Sequence, residues 1–254
     1  MKRIDLNCDL GESFGAWRMG DDAALLGLAS SANIACGFHA GDPTIMQQTV
    51  SLAAKRGVAI GAHVSLPDLQ GFGRRELRVT AEEVHAMTLY QLGALQAFAR
   101  AAGARLVHIK PHGALYNMAA RERALAEAIA HAVQAFDPQL ILFGLAGSAL
   151  TDAGTVLGLA VAAEAFADRR YLADGSLQPR GDAGAVIDDP GVAMAQALGI
   201  VCDGKVTAAH GEAVVLQADT LCLHGDGAHA VQLARALREA LEHAGVRIAS
   251  PGAA

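Results

Sequence analysis

Residues 3–10 read RIDLNCDL, and apolar and polar side chains alternate along them. In an extended strand alternate residues share a face, so Ile4, Leu6, Cys8 and Leu10 point one way and Asp5, Asn7 and Asp9 the other. The apolar set is suited to packing beneath helices. The same pattern returns at HIKPH, residues 108–112, where His108, Lys110 and His112 share one side and Val107, Ile109 and Pro111 the other. Pro111 argues against a regular helix there, so the parity reading holds if the chain stays extended.

Working outward, short apolar runs alternate with helix-like segments along the whole chain, the pattern of parallel strands joined by crossover helices. Strands are expected near residues 3–9, 32–37, 57–64, 105–110, 139–144, 158–164 and 218–224. An eighth is to be sought in the Gly-rich stretch 200–216, so this reading leaves barrel closure open. Asp42 before Pro43 marks one helix start, and Thr80 with Glu83 forms a capping box that opens a helix over 80–102. Further helices are expected over 121–135, 189–199 and 227–243, and the charged, Gly-rich stretch 165–188 reads as a long functional loop. At 254 residues, without a linker or repeat, residues 1–254 are expected to form a single α/β domain, a size normal for a (β/α) barrel.

Hydrophobic residues make up 52% and charged residues 18%, enough for a large core, while aromatics are only 4%. A net charge of -6 without a basic run offers no footprint for nucleic acid or an anionic membrane, and no partner of either kind is expected. Cys8, Cys36, Cys202 and Cys222 form no C-x-x-C pair and suit reduced thiols. With no signal-like core and no apolar run long enough to span a bilayer, the expectation is a cytoplasmic protein.

Polar residues recur at the strand ends: Asn33 and His39, His63, Lys110 and His112, Glu164 and Asp168, then His224 and Asp226. Strand C-termini are where a β/α barrel keeps its chemistry, and buried charge is costly unless a site uses or pairs it. His108 and His112, with Asp5, Asp9 or His63, form an alternative set of ligands for a divalent metal, against which Lys110 between the histidines would weigh. GESFG at 11–15 matches G-x-S-x-G, but too little chain precedes it for a nucleophile elbow at Ser13. Cys36 near His39 reads first as a small buried strand residue and second as a nucleophile. Neither G-x-x-x-x-G-K-[ST] nor a complete G-x-G-x-x-G occurs, so autonomous use of ATP or NAD is not expected.

Taken together, DLNCDLGESFG (5–15), NIACGFHAGD (33–42), GAHVSLPDLQGFGRR (61–75), HIKPHGALYN (108–117), EAFADRRYLADGSLQPR (164–180) and LCLHGD (221–226) resemble the LamB/YcsF family. Val64 departs from the proline expected in that family's GAHPS segment but removes no ionisable group. The resemblance implies an irregular (β/α) barrel of about seven parallel strands, akin to the glycoside hydrolase and deacetylase type. It also implies a hydrolase acting on a cyclic amide, an ATP-dependent 5-oxoprolinase that cleaves the lactam of 5-oxo-L-proline (pyroglutamate) to L-glutamate. Partner subunits B and C would activate the lactam with ATP, which fits a chain without a phosphate loop.

On that reading this chain binds the phosphorylated imidate, adds water and expels phosphate. Asp9 or Glu12 is the candidate general base, and Lys110 and His112 are candidates to stabilise charge on phosphate or oxyanion. Arg169 or Arg180 is placed to clamp the substrate carboxylate, and Asn7, Asn33, His39, His63, Glu164, Asp168 and His224 complete the candidate substrate-binding set. Neutralising Lys110 is expected to cripple turnover and leave folding intact. Two other classes compete: a metal-dependent amidase or deacetylase, and a non-catalytic lactam-binding subunit.

Overall fold

The outward-facing apolar side chains of the first strand, Ile4, Leu6, Cys8 and Leu10, are all buried, and the same arrangement repeated around the chain produces a barrel. The computed structural model describes residues 2–223 and 230–252. In chain order its elements are β1 (Arg3–Leu10), α1 (Asp22–Leu25), β2 (Ser31–Ala35), α2 (Pro43–Arg56), β3 (Ala59–Val64) and α3 (Ala81–Ala101). They continue with β4 (Leu106–Pro111), α4 (Gly113–Arg121), α5 (Arg123–Phe136), β5 (Ile141–Leu145), α6 (Ala149–Val156) and β6 (Val161–Phe166). The remainder comprises α7 (Pro190–Leu198), β7 (Lys205–Thr207), β8 (Ala213–Val215), β9 (Thr220–Leu223), α8 (Ala230–His243) and β10 (Arg247–Ile248).

Strands β1 to β6 pair in sequence order, β6 pairs β9, and β9 returns to β1, so 7 parallel strands close the barrel. The two-residue β10 adds to β1 at Arg3 and Ile4. The eighth strand sought at 200–216 is no barrel strand: that stretch folds into a separate antiparallel pair, β7 with β8. Closure needs no eighth strand because β9 pairs with both of its neighbours.

The expected helix starts have physical counterparts. Asp42 accepts from the backbone of Thr44 and Ile45 with Pro43 at the first turn of α2, and both halves of the Thr80–Glu83 capping box are made. The helix expected over 227–243 is described from Ala230. No helix among the described residues is long and apolar enough to cross a membrane.

The barrel interior is lined with polar groups. Asp5, Asn7, Ser31, Asn33, His63, His108, Lys110, Glu164 and Thr220 are all buried, and directional hydrogen bonds tie them together. Room for His108 comes from Gly61 on the adjacent strand, where an added Cβ would lie 2.1 Å from the His108 Nε2. Beside it the β3–β4 register shifts between Ile60 and Gly61.

Candidate active site at the C-terminal mouth of the barrel

Lys110 occupies the middle of the interior. Its Nζ lies 3.0 Å from Asp9 Oδ1, 2.9 Å from Glu164 Oε1, 3.2 Å from Asn7 Oδ1 and 3.0 Å from Cys222 Sγ. Burial alone would drive the ammonium to shed its proton, but the charges of Asp9 and Glu164, with the Cys222 sulfur as a further acceptor, outweigh it and hold Lys110 well above its ordinary range. The buried Cys222 thiol is itself pushed well up by desolvation, so it stays protonated.

Two asparagines distribute this charge. Asn33 Nδ2 donates to Asn7 Oδ1 (2.7 Å) and Asp9 Oδ1 (2.8 Å), and Asn7 Nδ2 donates to Glu164 Oε1 (2.9 Å) and Thr220 Oγ1 (2.7 Å). Thr220 passes the chain down to Asp5 Oδ2 at 2.6 Å. His108 Nε2 lies 2.8 Å from Asn33 Oδ1, and its ring stacks on Phe143 at 4.3 Å. Burial drives its pKa down to about 3, so it is a neutral donor.

At the mouth the imidazoles gather. His63 Nδ1 faces the Lys110 carbonyl oxygen at 3.0 Å, and His112 Nε2 faces the Phe72 carbonyl at 2.8 Å. A carbonyl only accepts, so each of those nitrogens carries a hydrogen. The opposite nitrogens, His63 Nε2 and His112 Nδ1, then point at each other across 2.9 Å, with Asp9 Oδ2 3.2 Å from the former and Glu12 Oε1 3.8 Å from the latter. His39 stacks on His112 at 3.8 Å, and its Nε2 lies 3.2 Å from Glu12 Oε1. Burial, reinforced by the neighbouring imidazoles, drives both His39 and His112 well below the usual range, so both are held neutral. One ligand atom from each of Glu12, His39, His63 and His112 lies within 4.8 Å of the others, a group able to hold a metal ion.

The loop after β3 shapes this cluster. Phe72 has a left-handed backbone, φ 54°, which turns its carbonyl to His112, and Gly73 follows at φ 65°. A Cβ on Gly73 would lie 2.7 Å from His39 Cβ and 2.8 Å from His112 Cδ2, so only glycine lets the loop close over the two rings. At the position that departs from proline, the Val64 carbonyl accepts from His112 N at 2.8 Å.

Above the cluster opens a cavity of about 670 Å³ lined by Asp9, His63, Lys110 and His112 on its floor and by Arg74, Arg169 and Arg180 from the loops. Arg169 is buried, its Nη2 donates to the Gln178 carbonyl at 2.7 Å, and burial together with the Arg180 charge lowers its pKa. This rim suits an anion.

Of the residues expected at the site, Asp9, Lys110, His112, His63, Arg169 and Arg180 line the cavity. Glu12 and His39 stand behind the rings, and Asn7, Asn33 and Glu164 lie in the barrel interior beneath it. Asp168 is half-buried beside Arg169 and does not line the cavity, and His224 and Asp226 lie outside the described residues. Of the alternative metal set, Asp9, His63 and His112 reach the cluster, whereas Asp5 is bonded to Ser30, Ser31 and Thr220 and His108 to Asn33. Glu12 and His39 take their places in the metal-capable group. Ser13 Oγ is engaged with Met19, and burial pushes the Cys36 thiol up to about 12, so neither is an activated nucleophile. The contributors that the sequence reading missed are the Phe72 carbonyl and Arg74. A backbone carbonyl has no side-chain signature, whereas Arg74 stands in plain sight inside GFGRR.

Comparison with known proteins gives a consistent picture. The LamB/YcsF family model matches residues 4–254. A Methylococcus capsulatus protein named as a 5-oxoprolinase subunit is 60% identical over 251 residues, 99% of this chain and 96% of that one. A Tolumonas auensis protein of the same name is 56% identical over 248 residues, 98% of this chain and 99% of that one. The crystal structure of a lactam utilization protein from Thermus thermophilus superposes with a TM-score of 0.92 at 51% identity, covering 97% of this chain and 99% of that one.

Proposed function

The chain belongs to the LamB/YcsF family, and from that premise we propose that it is the ring-opening subunit of an ATP-dependent 5-oxoprolinase. The observation that carries the reading is its full-length similarity to proteins named as 5-oxoprolinase subunits; the arginine-rimmed cavity over Asp9 agrees with it. An unstrained lactam is a poor electrophile with a poor leaving group, so opening it needs activation. Two partner subunits, B and C, supply that activation by transferring the γ-phosphoryl group of ATP to the lactam carbonyl oxygen, leaving ADP.

Asp9 is the better base of the two carboxylates because it lines the cavity, with Oδ2 turned away from the Lys110 contact made by Oδ1. Water bonds to the ring carbon that carries the phosphorylated oxygen as its proton passes to Asp9. The carbon–nitrogen bond breaks, the nitrogen takes up a proton, and a second water splits the resulting acyl phosphate to glutamate and phosphate. Lys110 is a positioning residue in this scheme, since its ammonium is committed to Asp9, Glu164, Asn7 and Cys222. Arg169 and Arg180, with Arg74, meet the carboxylate and phosphate.

The test mixes the purified chain with 5-oxoproline and ATP, with and without subunits B and C, and follows glutamate. Glutamate from the complete mixture alone is the expected result. Release by this chain without its partners overturns the division of labour, and no release from the complete mixture overturns the assignment.

A further inference from the structure

The histidine cluster raises a question that ring opening by Asp9 does not answer. His63 Nε2 and His112 Nδ1 face each other at 2.9 Å with their lone pairs opposed, because their other nitrogens are committed to the carbonyls of Lys110 and Phe72. Asp9 Oδ2 and Glu12 Oε1, both acceptors, close in at 3.2 and 3.8 Å. Acceptors packed against acceptors repel unless a cation sits among them. A proton can serve one such pair. Three imidazoles and a carboxylate within 4.8 Å of one another offer more than a proton uses.

We propose that Glu12, His39, His63 and His112 form a divalent transition-metal site, with His63 binding through Nε2 and His112 through Nδ1. Ligand bonds of about 2.1 Å around a tetrahedral ion separate donor atoms by about 3.4 Å. The observed 2.9 Å contact and 4.8 Å outer limit bracket that spacing, so small side-chain shifts admit the ion. The outer shell is of the required kind, since a metal-bound histidine donates its other N–H to a carboxylate or carbonyl, and two of the three histidines do so. The left-handed Phe72 backbone gains a reason here, because it aims one of those carbonyls. A majority of imidazole donors favours zinc, cobalt or iron(II) over manganese, magnesium or calcium. Lys110 does not oppose the ion, because its charge is neutralised by Asp9 and Glu164.

The inference is independent of the ring-opening assignment, and its test uses neither partner subunits nor 5-oxoproline. The full chain is stripped with a chelator, incubated separately with Zn²⁺, Co²⁺, Mn²⁺ and Fe²⁺, desalted and analysed for metal. The cobalt sample is also read by visible d–d absorption. We expect one ion per chain and a tetrahedral or five-coordinate cobalt spectrum. Glu12→Gln and His112→Gln each weaken cobalt affinity by at least about tenfold, while His108→Gln, outside the cluster, binds as wild type. Circular dichroism checks that each variant is folded, and the wild-type spectrum stands without them. No retained metal from any of the four ions, or retention unchanged in both cluster variants, overturns the site.

Discussion

Lys110 shows how much one side chain holds in place. Removing its charge leaves Asp9 and Glu164 as buried carboxylates without their cation, so Lys110→Met is expected to destabilise the fold by about 3–5 kcal/mol. The expectation drawn from sequence, that folding would survive this change untouched, is thereby revised. Urea denaturation measures the loss, and adding Glu164→Gln is expected to restore part of it. A single variant as stable as wild type would contradict the pairing. Asp5 makes a prediction about pH. Burial raises its carboxyl from 3.8 to about 6, against the hydrogen bonds from Ser30, Thr220 and Ser31 and with a further push from Glu164. The folded state therefore binds more protons than the unfolded state between those values, and stability falls as pH rises through that window. The penalty is complete above the folded value and amounts to about 3 kcal/mol. Asp5→Asn should flatten this slope in denaturation curves taken from pH 4 to 7, and a slope unchanged by the substitution would remove Asp5 as its source.

Between elements, β3 and β4 meet where Gly61 gives up its side chain to the His108 ring. Gly61→Ala would set a Cβ 2.1 Å from Nε2, pushing the ring off Asn33, and should cost about 1–3 kcal/mol. Because the clash is with one side chain, Gly61→Ala combined with His108→Ala should cost less than the sum of the two, a coupling a double-mutant cycle reads directly. Strict additivity would mean that the contact is relieved by backbone movement instead. The strands themselves were legible, because alternation in RIDLNCDL and the apolar runs register burial on the outer face. Two things were not. Helix α4 begins at Gly113, directly after Pro111 and His112, residues that by themselves read as extended chain. Parity put Asp5, Asn7 and Asp9 on one face but gave no depth along the barrel, so Asn7 and Asn33 read as groups for substrate when they belong to the hydrogen-bonded interior. His39, by contrast, was picked out by its motif, while its stacking on His112 depends on a loop closure that only Gly73 permits.

Over the whole molecule, the chain carries a net charge of -6, which opposes the approach of an anionic substrate. The cavity reverses this locally, with Arg74, Arg169 and Arg180 on its walls. At physiological ionic strength charges more than about 8 Å away are largely screened, so the rim governs the last step of binding and the distant carboxylates do not. The arginines differ in how they can be tested. Arg169 is buried and bonded to the Gln178 carbonyl, so its removal disturbs the loop as well as the charge. Arg180 is exposed, so its replacement subtracts charge from the rim without leaving a hole in the core. In the assembled enzyme Arg180→Gln is expected to raise KM about threefold to tenfold and leave kcat within about twofold, the pattern of a contact made equally in ground and transition states. The ratio of variant to wild-type KM should shrink as salt is raised, since screening removes the same attraction that the substitution removes. Were kcat to fall while KM stayed constant at every salt concentration, Arg180 would be acting on the reacting atoms, and the carboxylate clamp would pass to Arg74 and Arg169.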